Sequence, residues 1–131
     1  MIEIKPTADA GLCREFLKNI AVHDNTFVLA AFDGDCVVGA GVLRLFPSHA
    51  VLEHIAVSPG YEMLDYGIGK AMLNFVERRD IVDVVCGTGV SEHLLRRLGF
   101  HTVLLTAAME PFAAGQHVTY LNLRGYFTKH C

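Results

Sequence analysis

Between Thr26 and Val57 three apolar runs are separated by two short polar breaks. Thr26 to Phe32 is β-branched and apolar, Asp33-Gly34-Asp35 turns the chain into Cys36 to Phe46, and Pro47-Ser48-His49 turns it again into Ala50 to Val57, closed by Ser58-Pro59-Gly60. Continuous apolar runs bounded by such residues predict three consecutive antiparallel strands, with the Asp33-Gly34-Asp35 hairpin the clearest signal. Upstream, Ile2, Ile4 and Pro6 begin a short strand. Asp9 stands at a helix N-cap ahead of Leu12, Phe16, Leu17 and Ile20 on one stripe, which predicts an amphipathic first helix.

From Gly67 the period changes to 3.6. Ile68, Ala71, Met72, Phe75 and Val76 share one side, and Lys70, Asn74, Glu77 and Arg78 the other. Ile81 to Cys86 reads as a buried strand and Gly87-Thr88-Gly89 as a turn. Ser91 caps a short helix carrying Leu94, Leu95 and Leu98, and Gly99-Phe100 has the form of a Schellman ending. Thr102 to Met109 and Val118 to Leu123 are read as two last strands, joined around Pro111 and Gly115.

Composition narrows the class. The 131 residues are 52% hydrophobic and 19% charged, with 11 basic against 14 acidic side chains. That describes one globular domain over 1–131, neither disordered nor basic enough for nucleic acid. So few charges imply a sheet buried on both faces, or apolar surface reserved for a ligand or second subunit. The longest stretch free of Asp, Glu, Lys and Arg, Pro111 to Leu123, is short of the roughly 20 apolar residues of a membrane span. The first residues lack a signal-peptide pattern, so a cytoplasmic location and no membrane partner are expected. Cys13, Cys36, Cys86 and Cys131 form no C-x-x-C and the seven histidines no zinc spacing. The thiols are expected to be small core residues and a C-terminal tail, with no metal.

Two glycine-rich strand-to-helix junctions could hold an anion on free helix-start amides. Leu64-Asp65-Tyr66-Gly67-Ile68-Gly69-Lys70 is not a Walker A loop, since Ala71 follows Lys70 where Ser or Thr is required. Its glycines either admit a pyrophosphate or serve chain geometry alone. Gly87-Thr88-Gly89-Val90-Ser91-Glu92 begins like a dinucleotide fingerprint but lacks the third glycine and a full crossover helix.

The stretch Leu52-Glu53-His54-Ile55-Ala56-Val57-Ser58-Pro59-Gly60-Tyr61, then Gly67-Ile68-Gly69-Lys70-Ala71-Met72-Leu73, and later Leu98-Gly99-Phe100, resembles the GNAT superfamily of N-acetyltransferases. The order β-α-β-β-β-α-β-α-β-β is similar too, over essentially the whole chain. The resemblance implies an α/β (α+β) fold. Its mixed, mostly antiparallel sheet has about six or seven strands, helices on both faces and a splayed central pair, here 50–57 and 81–86.

It also implies acetyl-CoA as cosubstrate. Main-chain groups of Ile55 and Val57 would hold the pantetheine arm. Amides of Asp65, Tyr66, Gly67, Ile68, Gly69 and Lys70 would hold the pyrophosphate. An acetyl group would pass to a primary amine of a small molecule or peptide by direct attack in a ternary complex. The amine must lose its proton first, and Glu53 stands where some members carry a general base, alternating in side with His54. Leu64 replaces the family's Gln or Arg, Asp65 its usual Gly, and Tyr61 to Gly67 is about two residues longer than its usual form. The Asp65 carboxylate would repel a pyrophosphate unless it points to solvent or is offset by Lys70. Leu95 replaces the tyrosine that protonates the leaving thiolate, leaving Tyr66, Tyr120, Tyr126 and Cys86 as substitutes. These departures leave a second reading, a catalytically weak or inactive acyl-CoA-binding or regulatory module. Arg78-Arg79 and Arg96-Arg97 are read as complements to helix dipoles, with a 3′-phosphate contact as the alternative. His101, His117 and His130 are expected at the surface. The charge-poor final strands predict a homodimer along a sheet edge.

Overall fold

A computed structural model describes residues 1–18 and 20–127, without the side chains of Ala10 and Thr88. The expectations for His130 and Cys131 lie outside the described residues. The predicted meander is present as β2 (Thr26–Asp33), β3 (Cys36–Leu45) and β4 (Ala50–Val57). With β1 (Ile2–Thr7), β5 (Asp83–Gly89), β6 (His101–Leu104) and β7 (His117–Asn122) it forms one seven-stranded sheet in the order β1-β2-β3-β4-β5-β7-β6. Among the described residues only β4 and β5 pair in parallel. No helix among the described residues is long and apolar enough to cross a membrane.

Helices α1 (Leu64–Glu77) and α2 (Glu92–Leu98) cover one face. Ile68, Met72, Leu73 and Val76 are fully buried there against Leu43, Ala50 and Leu52. The helix can lie this close because β3 presents Gly41, where a Cβ would overlap the Met72 thioether and come within 2.8 Å of Ile68. Helix α2 is capped by Ser91, whose Oγ accepts from the Leu94 amide at 3.2 Å, and ends at Gly99 with φ 102°. The Phe100 amide donates to the Leu95 carbonyl at 2.9 Å, so the Schellman ending forms as expected.

The first helix differs from the expected one. Asp9 does cap it, accepting from the Gly11 amide at 3.0 Å, but the element is a 3-10 helix over Ala10–Phe16, non-helical at Cys13. A 3-10 turn superposes residues three apart, so Cys13 and Phe16 pack on the sheet while Leu12 is 53% exposed. Their partners Val28, Ala30 and Val42 lie on the face opposite α1.

Other boundaries shift for physical reasons. Strand β6 stops at Leu104, because Leu105, Met109 and Phe112 cover Val51, Val85 and Val118 instead of extending the sheet. Residues 102–104 pair with β7, while beyond them the apolar side chains of Leu105 and Met109 serve to cover the face. His49, 3% exposed, ties this loop to the β3–β4 turn. A carbonyl can only accept, so its Nε2–H donates to the Glu110 carbonyl at 2.6 Å, and Nδ1 lies 2.9 Å from Ser48 Oγ. Strand β5 runs through Gly87-Thr88-Gly89, correcting the expected turn. Of the cysteines, Cys13 and Cys86 are buried but Cys36 is exposed, against the expectation of a core position.

Candidate active site

The site grows from one irregularity in β4. Val42 pairs with His54 and Leu43 with Leu52, so Glu53 is an extra residue, a β-bulge, against β3. On the other side Leu52 pairs with Cys86 and His54 with Gly89, so β5 spends three residues where β4 spends two. The bulge resets the alternation. Ala50 and Leu52 before it, and Ile55 and Val57 after it, all face the α1 core, while Val51 and Ala56 face the other side. Glu53 and His54 therefore both stand on the face opposite α1, between the cover of the 3-10 helix and that of the β6–β7 loop. The expectation that they alternate is corrected by the bulge. Two adjacent polar residues in the apolar run Leu52 to Val57 were the signal for it.

Glu53 is half-buried, and its Oε1 is buried without a hydrogen-bond partner. Leaving a carboxylate oxygen so costs about 1–3 kcal/mol or more, a burden usual where the group has chemistry to perform. Gly89 lodges against it: a Cβ there would overlap the Glu53 carbonyl and fall 2.7 Å from His54 Nδ1. Beyond the His54–Gly89 pair β4 has no strand partner on the β5 side among the described residues, while β3 still holds Ile55 to Val57 on the other. An extended ligand arm can pair with that free edge as a strand would.

The loop from β4 to α1 is held through its middle residues. Tyr61 Oη donates to Asp33 at 2.7 Å, which pushes the phenol up, and the Glu62 carboxylate accepts from the Gly60 amide at 3.0 and 3.1 Å. Backbone hydrogen bonds, from its own amide and then Gly60, hold the Glu62 carboxyl below its usual range. Helix α1 begins at Leu64, three residues before Gly67, without a side-chain N-cap. Of the expected anion-binding amides, those of Asp65 and Tyr66 lie in its first turn, while Gly67, Ile68, Gly69 and Lys70 fall within the helix body. Gly69 has a packing role, since a Cβ there would come within 2.7 Å of Leu98 on α2. Ile68 is fully buried, as expected of its inward side chain.

Lys70 does not offset Asp65. Its ammonium lies over the rings of Tyr126, Phe127 and Tyr66 at 4.6, 5.3 and 5.8 Å. The cation beside Asp65 is Arg97, with Nη1 4.0 Å from Oδ1 and its guanidinium 4.6 Å from the Tyr66 ring centre. Arg96 instead pairs with Glu92 one helical turn back, at 2.6 Å.

The substitutes for the missing acid are mostly engaged elsewhere. Tyr126 Oη donates to the Leu98 carbonyl at 2.6 Å, and Tyr120 Oη donates to Asp83 at the start of β5, away from Glu53. Burial, then the Asp83 bond, pushes the Tyr120 phenol up. Burial also pushes the Cys86 thiol up, which keeps it protonated and unreactive. Leu95 is buried in the helix-side core. Among the described residues no cluster of three or more His, Cys, Asp or Glu could hold a metal ion.

The acetyltransferase (GNAT) family model matches residues 3–123. No curated protein sequence matches the chain. Solved structures share its fold. A GNAT-family protein of Desulfovibrio desulfuricans superposes with a TM-score of 0.70 at 16% identity, over 94% of this chain and 99% of that one. The ribosomal-protein-S18-alanine N-acetyltransferase of Escherichia coli gives 0.68 at 13%, over 93% and 94%. A GNAT family acetyltransferase of Elizabethkingia anophelis with acetyl-CoA bound gives 0.60 at 16%, over 92% and 95%. A family match spanning nearly all of the chain, on a sheet whose parallel pair parts beside an unpartnered carboxylate, places the protein: it belongs to the GNAT acetyltransferase family.

Proposed function

We propose that the protein transfers the acetyl group of acetyl-CoA to a primary amine of a small molecule or peptide, by direct attack with both substrates bound. The observation that carries this reading is the buried, unpartnered Oε1 of Glu53 at the point where β4 loses its partner on the β5 side. Main-chain groups of Ile55 and Val57 hold the pantetheine arm along the free edge. The diphosphate rests at the start of α1, against the Asp65 and Tyr66 amides, with the body of the helix from Gly67 through Ile68 and Gly69 to Lys70 contributing its dipole. The acceptor approaches from the face that carries Glu53, which takes a proton from its ammonium so that a lone pair can reach the thioester carbon. Glu53 is the general base and no metal takes part.

Thermal denaturation tests this, because a ligand that binds only the folded chain raises its melting temperature. Acetyl-CoA and CoA are expected to raise it and NAD to leave it unchanged; no shift with millimolar acetyl-CoA removes the reading. The buried Leu95, in place of an acid, favours one second reading, a module that binds acyl-CoA without turnover. A shift with acetyl-CoA but no thiol release across an amine panel would select it.

We also infer a cytoplasmic protein, in keeping with the exposed free thiol of Cys36, and a homodimer joined along β6. Strand β7 lies between β5 and β6, so of the two final strands only β6 offers an outer edge, where Leu104 is 54% exposed. Light scattering at micromolar concentration is expected to give twice the 14.4 kDa chain mass; a monomer there rules the dimer out.

A further inference from the structure

We propose that Asp65 is an internal competitor for the CoA diphosphate, a carboxylate already seated where the ligand's anion belongs. This rests on the acetyl-CoA reading above. The Leu64 and Asp65 amides already donate to the Tyr61 and Glu62 carbonyls, so three groups at the start of α1 remain to attract an anion: the Tyr66 amide, the positive end of the helix dipole and the Arg97 guanidinium. Asp65 engages all three. Its Oδ1 accepts from the Tyr66 amide at 2.6 Å, lies 4.0 Å from Arg97 Nη1 and sits in the first helical turn. The remaining nearby cation, Lys70, is turned onto Tyr66, Tyr126 and Phe127 and does not neutralise it.

The arrangement is self-consistent for the free protein, whose helix lacks an N-cap side chain and gains from an acid in its first turn. A diphosphate must displace the carboxylate from the Tyr66 amide and from Arg97, or bind beside it against like-charge repulsion. The carboxylate is 32% exposed and the guanidinium 47%, so both can swing out into solvent. Asp65 thereby sets the acetyl-CoA concentration at which the enzyme loads, without touching the reacting atoms.

The test is calorimetric titration of the wild type, Asp65→Ala and Asp65→Asn with acetyl-CoA, and with acetyl-pantetheine, which carries no diphosphate. Asp65→Ala is expected to lower the acetyl-CoA dissociation constant about tenfold or more, the scale on which one unit charge acts at a partly exposed site. Asp65→Asn keeps an acceptor for the Tyr66 amide but loses the charge, and is expected to fall between the two. It holds the test if Asp65→Ala fails to fold. Acetyl-pantetheine affinity is expected to stay the same, and in turnover KM for acetyl-CoA to fall while kcat holds. Wild-type protein that binds acetyl-CoA with variants that bind no tighter overturns the proposal alone, as does equal tightening toward acetyl-pantetheine. Folded wild type and variants that all ignore millimolar acetyl-CoA overturn the underlying function as well.

Discussion

Replacing Glu53 by Gln is expected to lower kcat/KM for acetyl transfer about 10²- to 10³-fold, within the usual range for a lost general base. A primary amine reaches the site as an ammonium with pKa near 10 and no lone pair for the thioester. Glutamine keeps the shape and one acceptor of Glu53 but cannot take the proton. Because Oε1 has no hydrogen-bond partner to lose, the melting temperature of the free protein should hold or rise. That separates a catalytic role from a structural one. The sign of the pH effect follows: the deficit is largest near neutrality and narrows as pH climbs toward the amine's own pKa, where free amine arrives unaided. Thiol release over an amine panel, followed across pH, reads all of this. A variant within about threefold of wild type at pH 7 would take Glu53 out of the mechanism.

The fold was legible wherever period and punctuation agreed. The β2–β4 meander, the apolar face of α1 and the Gly99 ending all follow local rules that the tertiary structure does not override. Prediction failed where an apolar run served a face instead of a ladder. Leu105, Met109 and Phe112 lie flat over the sheet, and Cys13 takes the buried place expected of Leu12 because a 3-10 turn has a shorter period. The site shows the same division. The place of Glu53 on the strand singles it out as a candidate, but its shared face with His54 depends on a bulge that only pairing on both sides defines. Gly69 also packs against Leu98, a neighbour 29 positions away that no local pattern reveals. The low charge content has a matching cause: the sheet is covered on both faces, by α1 and α2 on one side and by the 3-10 helix and the β6–β7 loop on the other.

Gly87 and Gly89, both expected in a turn, occupy the last residues of β5 with opposite tolerances. A Cβ at Gly87 meets nothing nearer than 3.6 Å, so Gly87→Ala is expected to be close to neutral. At Gly89 the obstacles are the Glu53 carbonyl, His54 Nδ1 at 2.7 Å and His54 Cα at 3.2 Å. Two of these three are backbone of the central strand, which cannot yield as a side chain can. Gly89→Ala must therefore push β5 away from β4 at the bulge, costing about 2–3 kcal/mol and roughly 6–12 °C in melting temperature. The same displacement moves Glu53 relative to the free edge at Ile55 and Val57. A shift near 1 Å between base and thioester is enough for a loss of about 10²-fold in rate. Neither glycine has a positive φ, so the contrast isolates packing from backbone strain. Calorimetric melting and acetyl transfer measured on the two variants side by side decide it. Equal behaviour of Gly87→Ala and Gly89→Ala would mean that β5 does not close on Glu53 and that the arm-binding edge begins elsewhere along β4.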